Sequence, residues 1–479
     1  MSLESIDYII IGIYLIGIAL FGIISGGKQK TTDDYFAGSK TIPWWAVCFS
    51  IVAAETSTLT FISVPGLAYL TNLNFLQIAI GFLLGRIVVA YVFLPAYDTG
   101  GLKTAYTYLE DRFGKKTRSF ASIVFLFTRI AADGVRLFAT AIPLKLILGI
   151  SYPTAIIIIA IISLIYTYTG GLKGIIWVDV IQMFIYLGGA IIAGFFILNL
   201  LPNGFQSVIE AADKANKFSF INFGFEGGLK NFFSRPYTLF GGIFGGMFLS
   251  MASHGTDQLI VQRLFAAKNL KDGQKAVIGS GVIIVFQFAI FLILGVMLYA
   301  YYGTLNVKSD EIFPMFIINV LPPGVSGIII AGLFAAAMST LAASMSSLSS
   351  STVLDLYFPF TKKEISEAKK LKISRLVTVV WAVLLIISAV LFMDSSKAVV
   401  EIALSIASFT YGGLLGTFLL GIFVKKANQP SALFGFILGI ITMIMVISFQ
   451  LVAWTWYTLI GVIATIIFGK LFIVFQRKK

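Results

Sequence analysis

Apolar residues run along this chain in blocks of roughly 20–30, parted by short polar and basic segments. A helix needs about 20 apolar residues to cross a bilayer, whereas a barrel strand needs about 10 in alternation. The blocks therefore predict spanning helices. Thirteen are expected, at 6–25, 43–70, 74–99, 118–149, 152–170, 173–200, 237–265, 273–303, 323–357, 371–394, 397–424, 430–450 and 453–474. Three stretches disturb the apolar pattern. SIVAAETSTLTFISVPG, from Ser50 to Gly66, puts Glu55, Thr56, Ser57, Thr58 and Thr60 mid-span. FGGIFGGMFLSMASHGTDQ, from Phe240 to Gln258, sets four glycines before a polar cluster. AAAMSTLAASMSSLSSST, from Ala335 to Thr352, spaces Ala336, Ser339/Thr340, Ala343 and Ser347 along one helical face.

The layout suggests a repeat. Five spans lie before the polar stretch 201–236 and five after it, and the two sets enter the membrane from opposite sides. Inverted-repeat transporters have this layout, with the first helix of each unit broken near the bilayer midplane. Spans two and seven are the matching candidates for such breaks. The expected fold class is an all-α membrane protein of 13 transmembrane helices. Its segments are 1–42, an N-terminal extra helix and cytoplasmic loop; 43–200, the first five-helix repeat; 201–236, an extracellular loop; 237–424, the second five-helix repeat; and 425–479, two C-terminal helices and a basic tail.

Composition supports this reading. Of 479 residues, 58% are hydrophobic and 12% charged, against about 25% charged in soluble domains. The net charge of +13 is not spread evenly, which argues against nucleic acid as a partner. One set of loops, including the C-terminal tail, holds most of the 35 Lys and Arg; the other holds Lys214, Lys217, Lys230, Arg235, Lys308 and Lys397. The positive-inside rule then places the N-terminus outside and the C-terminus in the cytoplasm, in a cell inner (plasma) membrane. The run Thr361 to Lys372 reads as a solvated cytoplasmic helix. Span one lacks a basic leader and a small-residue cleavage site, so it is expected to be retained. A single Cys48 and a single His254 exclude an internal disulfide framework and a Cys/His zinc set. No nucleophile–base pair or paired carboxylates at one depth suggest an enzyme.

A charge at mid-bilayer costs at least ~2.5–3.5 kcal/mol, and an interrupted helix exposes carbonyls that lipid cannot satisfy. Both are tolerated where the segment lines a wet cavity or holds a cation. Sodium, a small hard cation, takes oxygen ligands by analogy with other hard cations, and carbonyls with Ser/Thr hydroxyls supply them. A single hydroxyl here would more simply bond back to the preceding turn; five polar groups in six positions are a different matter. Arg129, Asp133 and Arg136 fall at i, i+4 and i+7, so the aspartate can pair with either arginine. That cluster reads as a helix-locking ion network, or as one that lends an arginine to a solute. Asp179 in span six and Gln287 in span eight are further buried candidates, and His254 is expected to line a cavity or pack.

The ordered set AAETSTLTFISVPGLAY, YTGGLKGIIWVDVIQ, GTDQLIVQRLFAAKN and FAAAMSTLAASMSS resembles the sodium:solute symporter family over essentially the whole chain. The resemblance implies a leucine-transporter-like core of ten helices, with one helix before it and two after, and sodium-driven uptake by alternating access. It implies a sodium site built from the carbonyls of Ala53, Thr56 and Ala336 and the hydroxyls of Ser339 and Thr340. Some members hold a second sodium with an aspartate matching Asp179 and two serines. Here Ala342 and Ala343 stand in the serine places, so one coupled ion is expected. For the solute, the resemblance points to Glu55, Ser57, Thr60, Phe75, Gln77, Arg136, Ser250, Ser253 and Gln287. Glu55 stands where sugar-carrying members have Asn, Ser250 where they have Asn, Leu404 where they have Gln, and Ser253 in place of an aromatic gate. Phe75 and TLTFISVP are similar to the sialic acid branch, whose carboxylate-binding arginine aligns near Ala132, between Arg129 and Arg136.

The expected function is secondary active transport: symport of sodium with a small polar organic solute, leaning to a sugar or polyol. The alternative is a sialic acid or other organic-acid or amino-acid symporter, and behind it a proton-coupled carrier or a passive facilitator. The chain is expected to act as a monomer in the bilayer, with sodium and a small molecule as its partners. Replacing Ser339 and Thr340 with alanine is expected to abolish sodium-stimulated uptake, measured as labelled-solute entry into proteoliposomes with and without sodium.

Overall fold

The computed structural model describes residues 3–98, 103–362, 364–393 and 399–476, without side chains at 39, 143, 146, 147 and 399–409. Lys397, the side chain of Leu404 and the tail 477–479 lie outside the described set. Within it, regular structure is helical throughout, and a single bridge between Ile42 and Ala267 is the one β contact.

The chain enters as α1 (Ser5–Gly26), followed by the half-helices α2 (Trp44–Glu55) and α3 (Thr58–Leu70). Next come α4 (Leu76–Tyr97), α5 (Lys115–Leu148) and α6 (Tyr152–Leu200). After the polar stretch, α7 (Gly246–Gly255) and α8 (Gln258–Phe265) form a second broken pair. They lead into α9 (Leu270–Tyr302), α10 (Val325–Ser350), α11 (Glu367–Leu391), α12 (Val399–Phe423), α13 (Gln429–Ser448) and α14 (Tyr457–Gln476).

Among the described residues, eight helices are long and apolar enough to cross a membrane, and the α2–α3 pair, bent by 65°, makes a ninth span. This is fewer than the thirteen expected; α12 is described with side chains only from Thr410 to Phe423, and the other differences have local reasons. α5 carries Arg129, Asp133 and Arg136 amid its apolar residues. The expected spans 152–170 and 173–200 are continuous in α6, whose 49 residues would reach about 74 Å if straight, more than twice the hydrocarbon thickness. Gly171 divides that run, with φ 57° and ψ −162°, a region essentially reserved for glycine. Its turn also leaves no room for a side chain, because a Cβ there would lie 2.9 Å from the Tyr35 carbonyl oxygen.

The glycine-rich start of span seven is not where that span breaks. Gly242 and Gly246 sit against the backbone of α4, where a Cβ would collide with Gln77 or with the Ile78 carbonyl. The glycines serve close packing. The interruption comes later, at Thr256 and Asp257, where Asp257 caps α8 by accepting from Leu259 N–H at 2.9 Å.

At the centre lies α10, buried over 89% of its apolar window and packed along α6 and α1. Its small residues allow that approach. Its N-terminus is held by the buried Asp7 of α1, whose Oδ1 accepts from Gly324 N–H and Gly327 N–H at 2.8 Å each, a favourable charge at the positive end of a helix. The stretch between α6 and α7 is held through Lys217. Its Nζ donates to the Tyr69 carbonyl at 2.6 Å and lies 4.3 Å from the Tyr299 ring centre. Burial pulls this lysine below its usual range.

Two of the α6 glycines, Gly171 and Gly188, make a controlled comparison. Gly171→Ala should lower the midpoint of thermal unfolding in detergent, costing about 1–3 kcal/mol for the strained backbone alone. Gly188→Ala, with nothing within 4 Å of the new Cβ, should be neutral or slightly stabilising. Equal effects would contradict the strain argument.

Candidate ion and solute site

α2 stops at Glu55, in the middle of the bundle. Thr56 turns away from helical geometry, with φ −78° and ψ 93°, and α3 restarts at Thr58. Such a stop leaves carbonyls at one end and N–H groups at the other without helical partners. Thr56 N–H still reaches Val52 O at 3.0 Å, and its hydroxyl donates to the same oxygen at 2.7 Å. Among the described residues, no backbone N–H answers the carbonyls of Ala53, Glu55 or Thr56. The N-cap Ser57 leaves the first turn of α3 uncapped by its side chain.

α10 faces this break. Thr340 Oγ1 lies 3.4 Å from Ala54 O and 3.2 Å from Ala336 O. The two stretches that sequence reasoning joined are therefore in contact. Ser339 donates to Asp179 Oδ1 at 2.6 Å; a hydroxyl that gives away its proton keeps its lone pairs for a cation. Behind the break, Gln287 of α9 donates to Thr56 Oγ1 at 2.8 Å and accepts from Tyr186 Oη at 3.1 Å. Gln287 thus steadies the interruption and does not line the cavity.

Asp179 is fully buried and fully engaged. Arg263 Nη2 donates to its Oδ2 at 3.0 Å, Ser50 to the same oxygen at 2.5 Å, and Ser339 to its Oδ1. Arg263 Nε also donates to Ser50 Oγ at 2.9 Å. The carboxylate that matches the family's second ion site already holds a guanidinium.

A cavity opens beside the break, enclosing about 950 Å³ when its solvent-open part is counted. Glu55, Ser57, Thr60, Phe75, Arg136 and Ser253 line it, as expected. Two further expected side chains do not. Gln77 donates to Asn74 O at 3.0 Å and accepts from Asn222 N–H at 3.3 Å, pinning the loop before α7. Ser250 donates to Phe82 O at 2.9 Å, tying α7 to α4.

Charges around the cavity are paired. Arg86 of α4, whose side chain has no exposure, contacts Glu55 Oε2, and its Nη1 donates to Ser280 Oγ at 2.8 Å. Arg129 is committed to Asp257 at 3.3 Å, to Asp133 at 3.5 Å and to Tyr411 Oη at 2.8 Å. Among the described residues, Arg136 makes one ion pair, to Asp133 at 3.3 Å, and its side chain, which lines the cavity, keeps 18% exposure. Of the two arginines, Arg136 is the one with donors to spare. His254, Arg86, Asp257 and Tyr411 were not among the expected solute contacts. The signal for Arg86 was a lone arginine in GFLLGRIVVAY, since an ionisable residue inside a span is a functional candidate by default.

Residues 35–439 match the Sodium:solute symporter family. The chain is 30% identical to the sodium/sialic acid symporter SiaT of Proteus mirabilis, covering 97% of this chain and 94% of SiaT. It is 31% identical to the sodium/sialic acid symporter NanT of Aliivibrio fischeri, covering 98% and 93%. A solved structure of a Na+-coupled sialic acid symporter, substrate-bound and outward-open, overlays with a TM-score of 0.89 at 29% identity, covering 98% of both chains.

The Asp179–Arg263 pair offers a direct energetic test. Asp179→Leu or Arg263→Met alone strands a buried charge and should cost about 3–5 kcal/mol. The double variant should recover much of that loss in thermal unfolding of the purified protein. Additive losses would mean that the two side chains are not coupled.

Proposed function

We propose that this chain, which belongs to the sodium:solute symporter family, couples the entry of one sodium ion to uptake of a carboxylate-bearing, sugar-like solute of the sialic acid kind. The chain is a multi-pass membrane transporter and not an enzyme, and sodium is its coupling ion. The observation that carries the solute reading is the polarity of the break. Carbonyls at the C-terminal end of α2 are the negative end of a helix and suit a cation. The N-terminal end of α3, with Ser57 and Arg136 beside it, is positive and suits a carboxylate. A neutral sugar or polyol would leave that positive end unanswered. The relatives named sialic acid symporters favour the acid over the sugar lean.

In this reading the carbonyls of Ala53, Thr56 and Ala336 and the hydroxyls of Ser339 and Thr340 hold the sodium. Arg263 already answers Asp179, and Ala342 and Ala343 bring no oxygen, which supports a single ion. Ser57, Thr60 and Arg136 take the carboxylate end of the solute, and Phe75 and Ser253 line its path. The spans form a 5+5 inverted core over 43–200 and 237–424, with the N-terminus outside, in a monomer. α5, the kinked α6 and the broken pair α7–α8 supply spans beyond those evident from length and apolarity.

Coupling works through affinity: sodium favours the outward-open state, which then binds solute better. One sodium with one monoanion moves no net charge. The membrane potential, worth ~2.3 kcal/mol per charge at 100 mV, then contributes nothing, and a tenfold sodium gradient supports about tenfold accumulation. In proteoliposomes, labelled sialic acid should accumulate under an inward sodium gradient with a Hill coefficient near one, whatever potassium potential is imposed. A Hill coefficient near two, or uptake driven by potential alone, would sink the one-ion reading. Uptake driven by a pH gradient without sodium would favour a proton-coupled carrier.

A further inference from the structure

One group in the cavity has no part in that account. Glu55 holds Arg86 with Oε2, while its Oε1 has no protein donor among the described residues, and its side chain keeps 23% exposure. Beside it, the buried His254 of α7 points Nε2 at Glu55 Oε2 from 3.6 Å, and among the described residues that nitrogen has no hydrogen-bond partner. On the other side of the ring, Nδ1 lies 2.8 Å from Ser253 Oγ and 3.2 Å from Ser250 O. A lone pair on Nε2 would face the carboxylate. The charges therefore favour the tautomer in which Ser253 donates to Nδ1 and Nε2 carries the proton. The cavity wall then has an acceptor, Glu55 Oε1, next to a donor, His254 Nε2–H, whose nearest acceptor among the described residues, Glu55 Oε2, lies 3.6 Å away, beyond hydrogen-bond distance.

We infer that Glu55 and His254, backed by Arg86, form a subsite that reads a hydroxyl group of the solute. A hydroxyl donates and accepts at once, so one group can give its proton to Glu55 and take the hydrogen of His254. An ammonium cannot accept, and it would meet the positive charge of Arg86 immediately behind the carboxylate. An ether or carbonyl oxygen would answer His254 and leave Glu55 unanswered. Buried polar groups that go unpaired without the right ligand are strong discriminators. This inference rests on the acid-binding reading of the same cavity: Arg136 takes the charged end of the solute, and Glu55 with His254 takes the hydroxylated end. The solute class is then a polyhydroxylated acid, not an amino acid or a simple monocarboxylate.

The test uses the purified full-length chain in sodium and measures equilibrium binding of N-acetylneuraminic acid, its singly deoxygenated analogues, and aminohexanoate. One analogue should bind roughly ten- to hundredfold more weakly than the parent acid. His254→Phe keeps the ring volume and should erase most of that difference. Glu55→Gln should erase it too, but it strands Arg86 and is secondary to the analogue series, which needs no variant. Two results overturn the subsite: all analogues binding within about twofold of the parent, as when a water answers His254, or aminohexanoate binding more tightly than the parent. Stabilisation by sodium alone, read as a thermal shift on the same sample, separates the two claims. A flat analogue series with that shift intact overturns the hydroxyl subsite only. Loss of the shift, or no binding by any acid, brings down the symport or acid reading and this inference with it.

Discussion

A helix that ends inside an apolar bundle leaves carbonyl oxygens that neither lipid nor a next turn can satisfy, and this constraint organises the protein. The end of α2 is tolerated because other groups gather round it. Thr340 of α10 reaches the Ala54 carbonyl, Gln287 of α9 holds Thr56, and Thr140 of α5 donates to Thr58 at the start of α3. The remaining unanswered carbonyls are what the proposed sodium would bind. In the proposed site the broken backbone serves as a ligand, in line with irregular backbone occurring at membrane depth only where it is buried in protein or lines a cavity.

The same economy governs the charges. Arg86, Arg129 and Arg263 are almost wholly buried, and each meets a carboxylate on another helix: Glu55, Asp257 and Asp179. Buried pairs of this kind add little to stability over a well-packed apolar core, yet they are costly to break. Each one therefore fixes the register of two helices. Arg129 and Asp257 join α5 to the broken α7–α8 pair, and Arg263 joins α8 to α6. Arg136 is the exception: among the described residues it shares Asp133 with Arg129, and its side chain is partly exposed. That imbalance, beside the positive end of α3, is what the proposed solute carboxylate would answer.

Much of this was legible in the sequence wherever the signal was local. A carboxylate and hydroxyls at mid-span marked the α2–α3 break, and the TGGLK stretch marked the division within α6. The small, hydroxylated face of α10 was a spacing pattern. What was not legible depended on partners far along the chain. Arg86 finds Glu55 thirty-one positions away. Gln77, Ser250 and Gln287 were expected as solute contacts from the family resemblance, yet each spends its polar atoms on another helix or loop. The stretch Phe240–Gln258 was read as holding a break, which falls at its polar end, at Thr256 and Asp257; its glycines permit both kinks and close approach. Only the position of α4 shows which use they serve.

The most direct measurement is a high-resolution density map of the protein in sodium, paired with one in choline. The account predicts a density feature present only in sodium, enclosed by the carbonyls of Ala53, Thr56 and Ala336 and the hydroxyls of Ser339 and Thr340, with Arg263 still against Asp179. A sodium-dependent feature at Asp179 with Arg263 displaced, or none between α2 and α10, would contradict it.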